Sequence, residues 1–193
     1  MKKVLLSLAV VLVVWRPALA GWQAGQAEQL SNVKGLVDQA RVAFDSLDYE
    51  NTIKALDSAI GAIEARPTPE AKRLLPQAYD MRARALFGLG KDKEATADFV
   101  SLVKVEPGYL LSGQVSPKIL AVYDEVVKNH VTELRLTIMP PDAEVLLDGN
   151  RIPTNGTVPI AVGDHTLSVS RIGFRQVTQP FTAAAGAATV VDS

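Results

Sequence analysis

The hydrophobic pattern of this 193-residue chain changes period once, near residue 132. Before that point apolar residues recur at intervals of three and four. Leu30, Val33, Val37, Ala40 and Phe44 fall on one helix face, and Ile53, Leu56, Ile60 and Ile63 repeat the pattern in the next segment. After it, Leu134, Leu136 and Ile138 alternate with Arg135 and Thr137, the pattern of a half-buried strand. A segment with helical spacing does not present one continuous apolar face as a strand, nor the reverse, so the switch separates two kinds of structure. The expected fold class is α + β in separate domains: helical hairpins over 21–131, then a small all-β antiparallel sandwich over 132–193.

Residues 1–20 fit neither part. Lys2 and Lys3 precede an apolar run from Val4 to Val14, and Pro17 then leads to Ala18 and Ala20 at the small-residue spacing of a cleavage site. The run falls well short of the ~20 residues that a spanning helix needs, which favours a cleaved signal peptide over a retained anchor. Cleavage after Ala20 implies an exported protein, periplasmic or at the cell surface, with no membrane span in the mature chain. Loss of Lys2, Lys3 and Arg16 takes the formal net charge from −1, three units down, to −4. A mildly acidic chain without a basic stripe lacks the electrostatic footprint of a nucleic-acid binder. The absence of cysteine excludes disulfides, thiolate metal sites, a cysteine nucleophile and a lipidated N-terminal cysteine.

Within the helical part, Thr68-Pro69 and Ser116-Pro117 are helix starts: a capping hydroxyl followed by a proline whose missing N–H costs nothing there. Gly88 and Gly90 interrupt the periodicity, and Pro107-Gly108 ends it. In the stretch "AYDMRARALFGLGKDKEATADFVSLVKVEP", Ala83 is a small residue at a helix crossing. Leu86 and Phe87 end one apolar face, Gly90 lies in the turn, Ala95, Phe99 and Leu102 form the next face, and Pro107 closes the unit. These positions resemble a tetratricopeptide repeat. An upstream copy carries Ala40, Phe44, Leu56 and Ala59, each preceding Ala83, Phe87, Phe99 and Leu102 by the same interval. That interval exceeds the usual ~34 residues, in keeping with the long second helix and the "EARPTPEAKR" connection. Thr52 stands for Ala95 and Leu47 for Gly90 in this upstream copy. Residues 117–130 then read as a capping helix for a short array.

The β part is punctuated at Asp148-Gly149-Asn150, Asn155-Gly156, Gly163-Asp164 and Gly173. Val145, Leu147, Asp148 and Gly149, the Gly156-Thr157-Val158-Pro159 turn, Gly163-Asp164-His165 as a hairpin and Gly173-Phe174 resemble a PEGA domain. Pro140-Pro141-Asp142-Ala143 stands where that family has Pro-Glu-Gly-Ala. The segment "VSPKILAVYDEVVKNH" is similar to the helix that joins helical repeats to such domains in exported bacterial proteins. The resemblance implies an envelope-associated protein that attaches to other proteins or to a surface polymer, and no enzyme activity.

No reactive constellation competes with that expectation. The two histidines stand apart: His130 at a helix C-terminus, which favours a cation, and His165 beside a hairpin turn. Neither has a nucleophile or carboxylate motif around it, and both read as structural. The chain has no metal-ligand spacing, and Asp148 alone lacks the several spaced oxygens of a calcium loop, so neither metal nor cofactor is expected. Asn155-Gly156-Thr157 fits a glycosylation acceptor but reads as a turn, and the Ala-rich tail as a weak edge strand.

Arg41 and Arg84 share the repeat phase, as do Phe44 and Phe87. At tetratricopeptide spacing these positions line a concave groove, where paired arginines can hold a carboxylate such as a peptide C-terminus. The expected function is a non-enzymatic exported adaptor or scaffold that binds an envelope protein or peptide. The alternative is a carbohydrate-binding module gripping peptidoglycan or surface glycan, weakened by the scarcity of aromatic platforms in the β part.

Overall fold

The computed structural model describes residues 17–111, 113–187 and 189–192. Lys2 to Arg16, the bulk of the segment read as a signal peptide, lie outside the described residues. Helices occupy the chain to His130 and strands follow from Val131, so the change of period marks the change of structure.

Helix α1 (Pro17–Asp45) turns back as α2 (Tyr49–Ala65), and α4 (Leu75–Gly88) turns back as α5 (Asp92–Val105). Between the two hairpins lies α3 (Pro69–Lys72), a single turn capped by Thr68, whose Oγ1 accepts from the Ala71 N–H at 3.2 Å. Helix α4 packs on α2, and α6 (Pro117–His130) packs on α5. Ser116 caps α6 by accepting from the Ile119 N–H, as its sequence position predicts. One apolar core runs through these helices, with Val33, Ala40, Leu56 and Ile63 of the first hairpin joined to Ala83, Phe99 and Leu102 of the second.

The hairpin turns share one geometry. Leu47 N–H donates to Phe44 O and Asp48 N–H to Ala43 O, both at 2.9 Å; Gly90 N–H donates to Phe87 O at 3.0 Å and Lys91 N–H to Leu86 O at 2.9 Å. Each is a Schellman closure, which needs a left-handed residue just past the helix. Gly90 supplies it at φ 72°, and Leu47 supplies it at φ 61°. The matched pairs Ala40/Ala83, Leu56/Phe99 and Ala59/Leu102 are all fully buried. Thr52 is also fully buried; its hydroxyl is satisfied by the Asp48 carbonyl at 2.8 Å.

Among the described residues seven strands follow: β1 (Val131–Thr137), β2 (Glu144–Leu147), β3 (Asn150–Ile152), β4 (Asn155–Ala161), β5 (Gly163–Ser170), β6 (Val177–Ala183) and β7 (Thr189–Asp192). They form two sheets, ordered β4-β1-β7 and β3-β2-β5-β6. Both feed one core, with Leu134, Leu136 and Ile160 from the first and Val145, Leu167 and Ala183 from the second. Pairing is antiparallel except between β1 and β7, which run parallel and so depart from the all-antiparallel expectation. The tail reaches β1 from the far sheet, and a chain that crosses between sheets is free to arrive in either direction.

Two turn assignments change. Asn155-Gly156 opens β4 rather than forming a turn, and the Asn155 Oδ1 accepts from the Ile138 N–H at 3.1 Å, pinning the end of β1. Gly163-Asp164 is not a hairpin: β4 and β5 belong to different sheets, and this is the corner where the chain crosses between them. Asp148-Gly149 is the expected two-residue hairpin turn, with φ of 49° and 81° as a type I′ turn requires. One edge strand of each sheet, β4 and β6, carries a proline, Pro159 and Pro180, which blunts that edge against further strand pairing; the opposite edges, β7 and β3, carry none.

Helix α6 runs into β1 without a linker. The Val162 N–H donates to the His130 carbonyl at 2.8 Å, so the last turn of the helix is tied to the sheet corner. Val131 contributes to the helical core from the first strand position.

Candidate functional site

The four groove candidates receive different surroundings. Arg41 on α1 is half exposed, with Asp38 Oδ1 3.4 Å from its Nη1. Val42 beside it is 68% exposed. The half-buried Phe44 ring lies 5.8 Å from that of Tyr49. Phe87 lies 6.0 Å from Phe99 within the core, and Lys118 Nζ approaches its ring at 5.6 Å. Arg84 does not match its phase-mate. It grips Asp80 one turn back, with Nε and Nη2 donating at 2.6 and 2.9 Å, and its side chain is only 13% exposed. A ligand carboxylate at Arg84 competes with a bidentate pair already made; at Arg41 it competes with one long contact.

Asp80 also accepts from the Tyr109 hydroxyl at 3.1 Å, and the Tyr123 hydroxyl donates to the Tyr109 carbonyl at 2.7 Å. This chain of bonds ties α4 to the loop after α5 and to α6. Burial pushes the Asp80 carboxyl up, with the Arg84 and Tyr109 hydrogen bonds pulling it back. Burial also raises both tyrosines, with the Asp80 charge adding to it, Tyr123 to about 12. A second knot centres on Arg82. It donates to Asp98 of α5 at 2.8 and 2.6 Å and to Asp57 of α2 at 2.6 Å, joining three helices. Burial opposes the Arg82 charge, but the hydrogen bonds to Asp98 and Asp57 outweigh it. Sequence reading missed both knots. Asp80 and Arg84 are one turn apart, a usable local signal. The partners of Arg82 come from other helices and leave no local trace.

In the β module His165 is held from both ring nitrogens. Nδ1 lies 2.7 Å from Asp148 Oδ2, and Nε2 lies 2.7 Å from the Ala161 carbonyl oxygen. Both partners are acceptors, so the ring satisfies both only when it carries both protons. Burial works against that charge; the Asp148 hydrogen bond, helped by the Ala161 carbonyl, outweighs it and raises the pKa above its ordinary value. Asp148 Oδ1 accepts from the Thr166 N–H at 2.8 Å, so the hairpin turn is locked to β5. His130 is the last residue of α6 and keeps its own carbonyl on the Val162 N–H. Among the described residues no three His, Asp or Glu side chains gather closely enough to hold a metal. No helix among them is long and apolar enough to cross a membrane.

Another surface feature escaped sequence reading. A cleft of about 240 Å³ opens between Met139-Pro140 and the loop joining β5 to β6, with Leu167 and Val169 among its walls. Phe174 at its rim is 68% exposed, and the Arg171 guanidinium sits 5.1 Å from the centre of its ring.

No family model matches the chain, and no curated protein or solved structure shows detectable similarity to it.

Proposed function

We propose that the chain is a non-enzymatic exported adaptor of the bacterial cell envelope, a short tetratricopeptide-like array joined to a PEGA-like sandwich. The observation that carries this reading is the repeated hairpin turn. Leu47 accepts a left-handed backbone at the position that Gly90 fills, which is how a degenerate second copy of one unit behaves. The two sheets that share one core support the sandwich, and the direct run from α6 into β1 supports a fixed relation between the modules.

In this reading a protein or peptide binds along the α1 side. Arg41, with Phe44 one turn on, is the contact surface and Val42 lies at its side, while Arg84 and Phe87 mainly hold the second hairpin together. Recognition at this helical surface relies on side chains, since a helix keeps its backbone hydrogen bonds to itself.

A photo-reactive residue at Val42, used in intact cells, tests the reading. It is expected to trap a defined envelope protein, with the adduct lost in Arg41→Glu and retained in Lys128→Glu, a remote exposed control. Absence of any Arg41-dependent protein adduct, or fractionation of the chain with cytoplasmic proteins, contradicts it.

A further inference from the structure

We propose that the loop between β5 and β6 is a membrane-surface anchor, whose apolar tip enters the interface of an anionic phospholipid bilayer while Arg175 binds lipid phosphate and Arg171, paired with Asp142, braces the Phe174 ring. The inference goes beyond the adaptor reading and fails separately from it. Ile172 is 100% exposed, Phe174 68%, and Met139 and Val177 nearby are 69% and 57% exposed. Single exposed apolar side chains are ordinary, but a group of four at one corner of a small module marks a contact surface. Three of them line the cleft, and Ile172 projects from the adjoining turn.

The turn is braced internally. The Phe174 N–H donates to the Arg171 carbonyl at 3.0 Å, and Gly173 takes φ 84° at the third turn position, which favours glycine. The tip therefore offers its side chains from a turn in which one backbone donor and one acceptor are already paired, which lowers the cost of approaching the headgroup region.

Charge selects the occupant. Between Ser170 and Gln179 there are two arginines and no acid, on a chain whose formal net charge is negative. Asp142 accepts from Arg171 Nε at 3.0 Å, and Arg175 is exposed. An apolar tip flanked by guanidinium groups on long stems complements an anionic lipid surface: the stems lie with the apolar residues and the Arg175 head reaches a phosphate. A second copy docked tip to tip would oppose like charges.

The chain contains no cysteine, so Ile172→Cys supplies the sole thiol for an environment-sensitive fluorophore. Leu110, 84% exposed on the helical half, provides the control label as Leu110→Cys. The full chain is titrated with phosphatidylcholine vesicles, with or without phosphatidylglycerol. The proposal expects a blue shift and brightening at position 172 on the anionic vesicles alone, with no change at position 110. Arg175→Gln is expected to weaken that binding about fivefold, and Phe174→Asp to abolish it with the circular dichroism spectrum unchanged. Any of five outcomes overturns the proposal: no shift on anionic vesicles, equal shifts on both vesicle types, equal shifts at both labels, a shift that needs only higher protein concentration, or a shift on cell-wall fragments instead of vesicles. Arg175→Gln keeps the test decisive should Phe174→Asp fail to fold.

Discussion

The two helical hairpins close with the same hydrogen bonds but stabilise themselves differently. The second has glycine in its left-handed position and two buried charge knots, Asp80–Arg84 and Arg82–Asp98. The first has Leu47 in that position, and its repeat-phase arginine, Arg41, is exposed. The second hairpin thus owes more to buried ion pairs that must all stay paired, and the first more to apolar contact, with Gln29 donating to the Ala62 and Arg66 carbonyls across it and Asp57 reaching Arg82. The difference teaches that two hairpins can share buried positions and turn hydrogen bonds while their turn residue and charges differ.

The largest expected effect lies at the Arg82 knot. Arg82→Ala leaves Asp98 buried without its cation, which costs about 3 kcal/mol, whereas Arg41→Ala in the first hairpin costs under about 0.5 kcal/mol. Urea unfolding of both variants measures the contrast, and equal losses would erase it. Next comes Gly88→Ala. A Cβ there overlaps the Tyr49 ring, which must shift from its place against Phe44 at a cost of about 1 kcal/mol. Asp45 occupies the matching place in the first hairpin and is exposed; Asp45→Ala is expected to change stability by less than about 0.5 kcal/mol.

The smallest effect sets the β module against the helical part. The folded-state pKa of His165 is raised, so its contribution is fully present below the unfolded value near 6.5 and is lost as pH rises through the folded value. Unfolding midpoints for the β module are expected to fall over that window, and His165→Gln is expected to flatten the dependence. A slope unchanged in His165→Gln would place the titrating group elsewhere.

Most of the architecture was legible because it rests on periodicity. Apolar spacing located the helical faces, the strands and their junction, and capping chemistry at Thr68 and Ser116 located two helix starts. Misreadings came where one residue type serves two geometries. Asn155-Gly156 reads as a turn yet opens a strand, because the Asn155 side chain finds its partner on β1, a contact distant in sequence. Gly163 reads as a hairpin glycine yet serves a sheet-to-sheet corner, and the direction of β7 is set by tertiary crossing. The candidate site was less legible. Arg41 and Arg84 are equal in phase, but Asp80 captures only one of them. The exposed tip at Ile172 and Phe174 was hidden inside an ordinary turn motif, since exposure is a property of the packed module.

The equivalence of the two hairpin turns is tested most directly by the stability of Leu47→Gly against Leu47→Ala and Gly90→Ala. The Leu47 side chain is 70% exposed, so its removal sacrifices little burial. With both turns left-handed at this position, Leu47→Gly raises stability by about 1 kcal/mol, Leu47→Ala changes it little, and Gly90→Ala lowers it by about 1 kcal/mol. A Leu47→Gly variant that loses stability while Leu47→Ala does not would contradict the shared turn and, with it, the reading of the helical half as two copies of one unit.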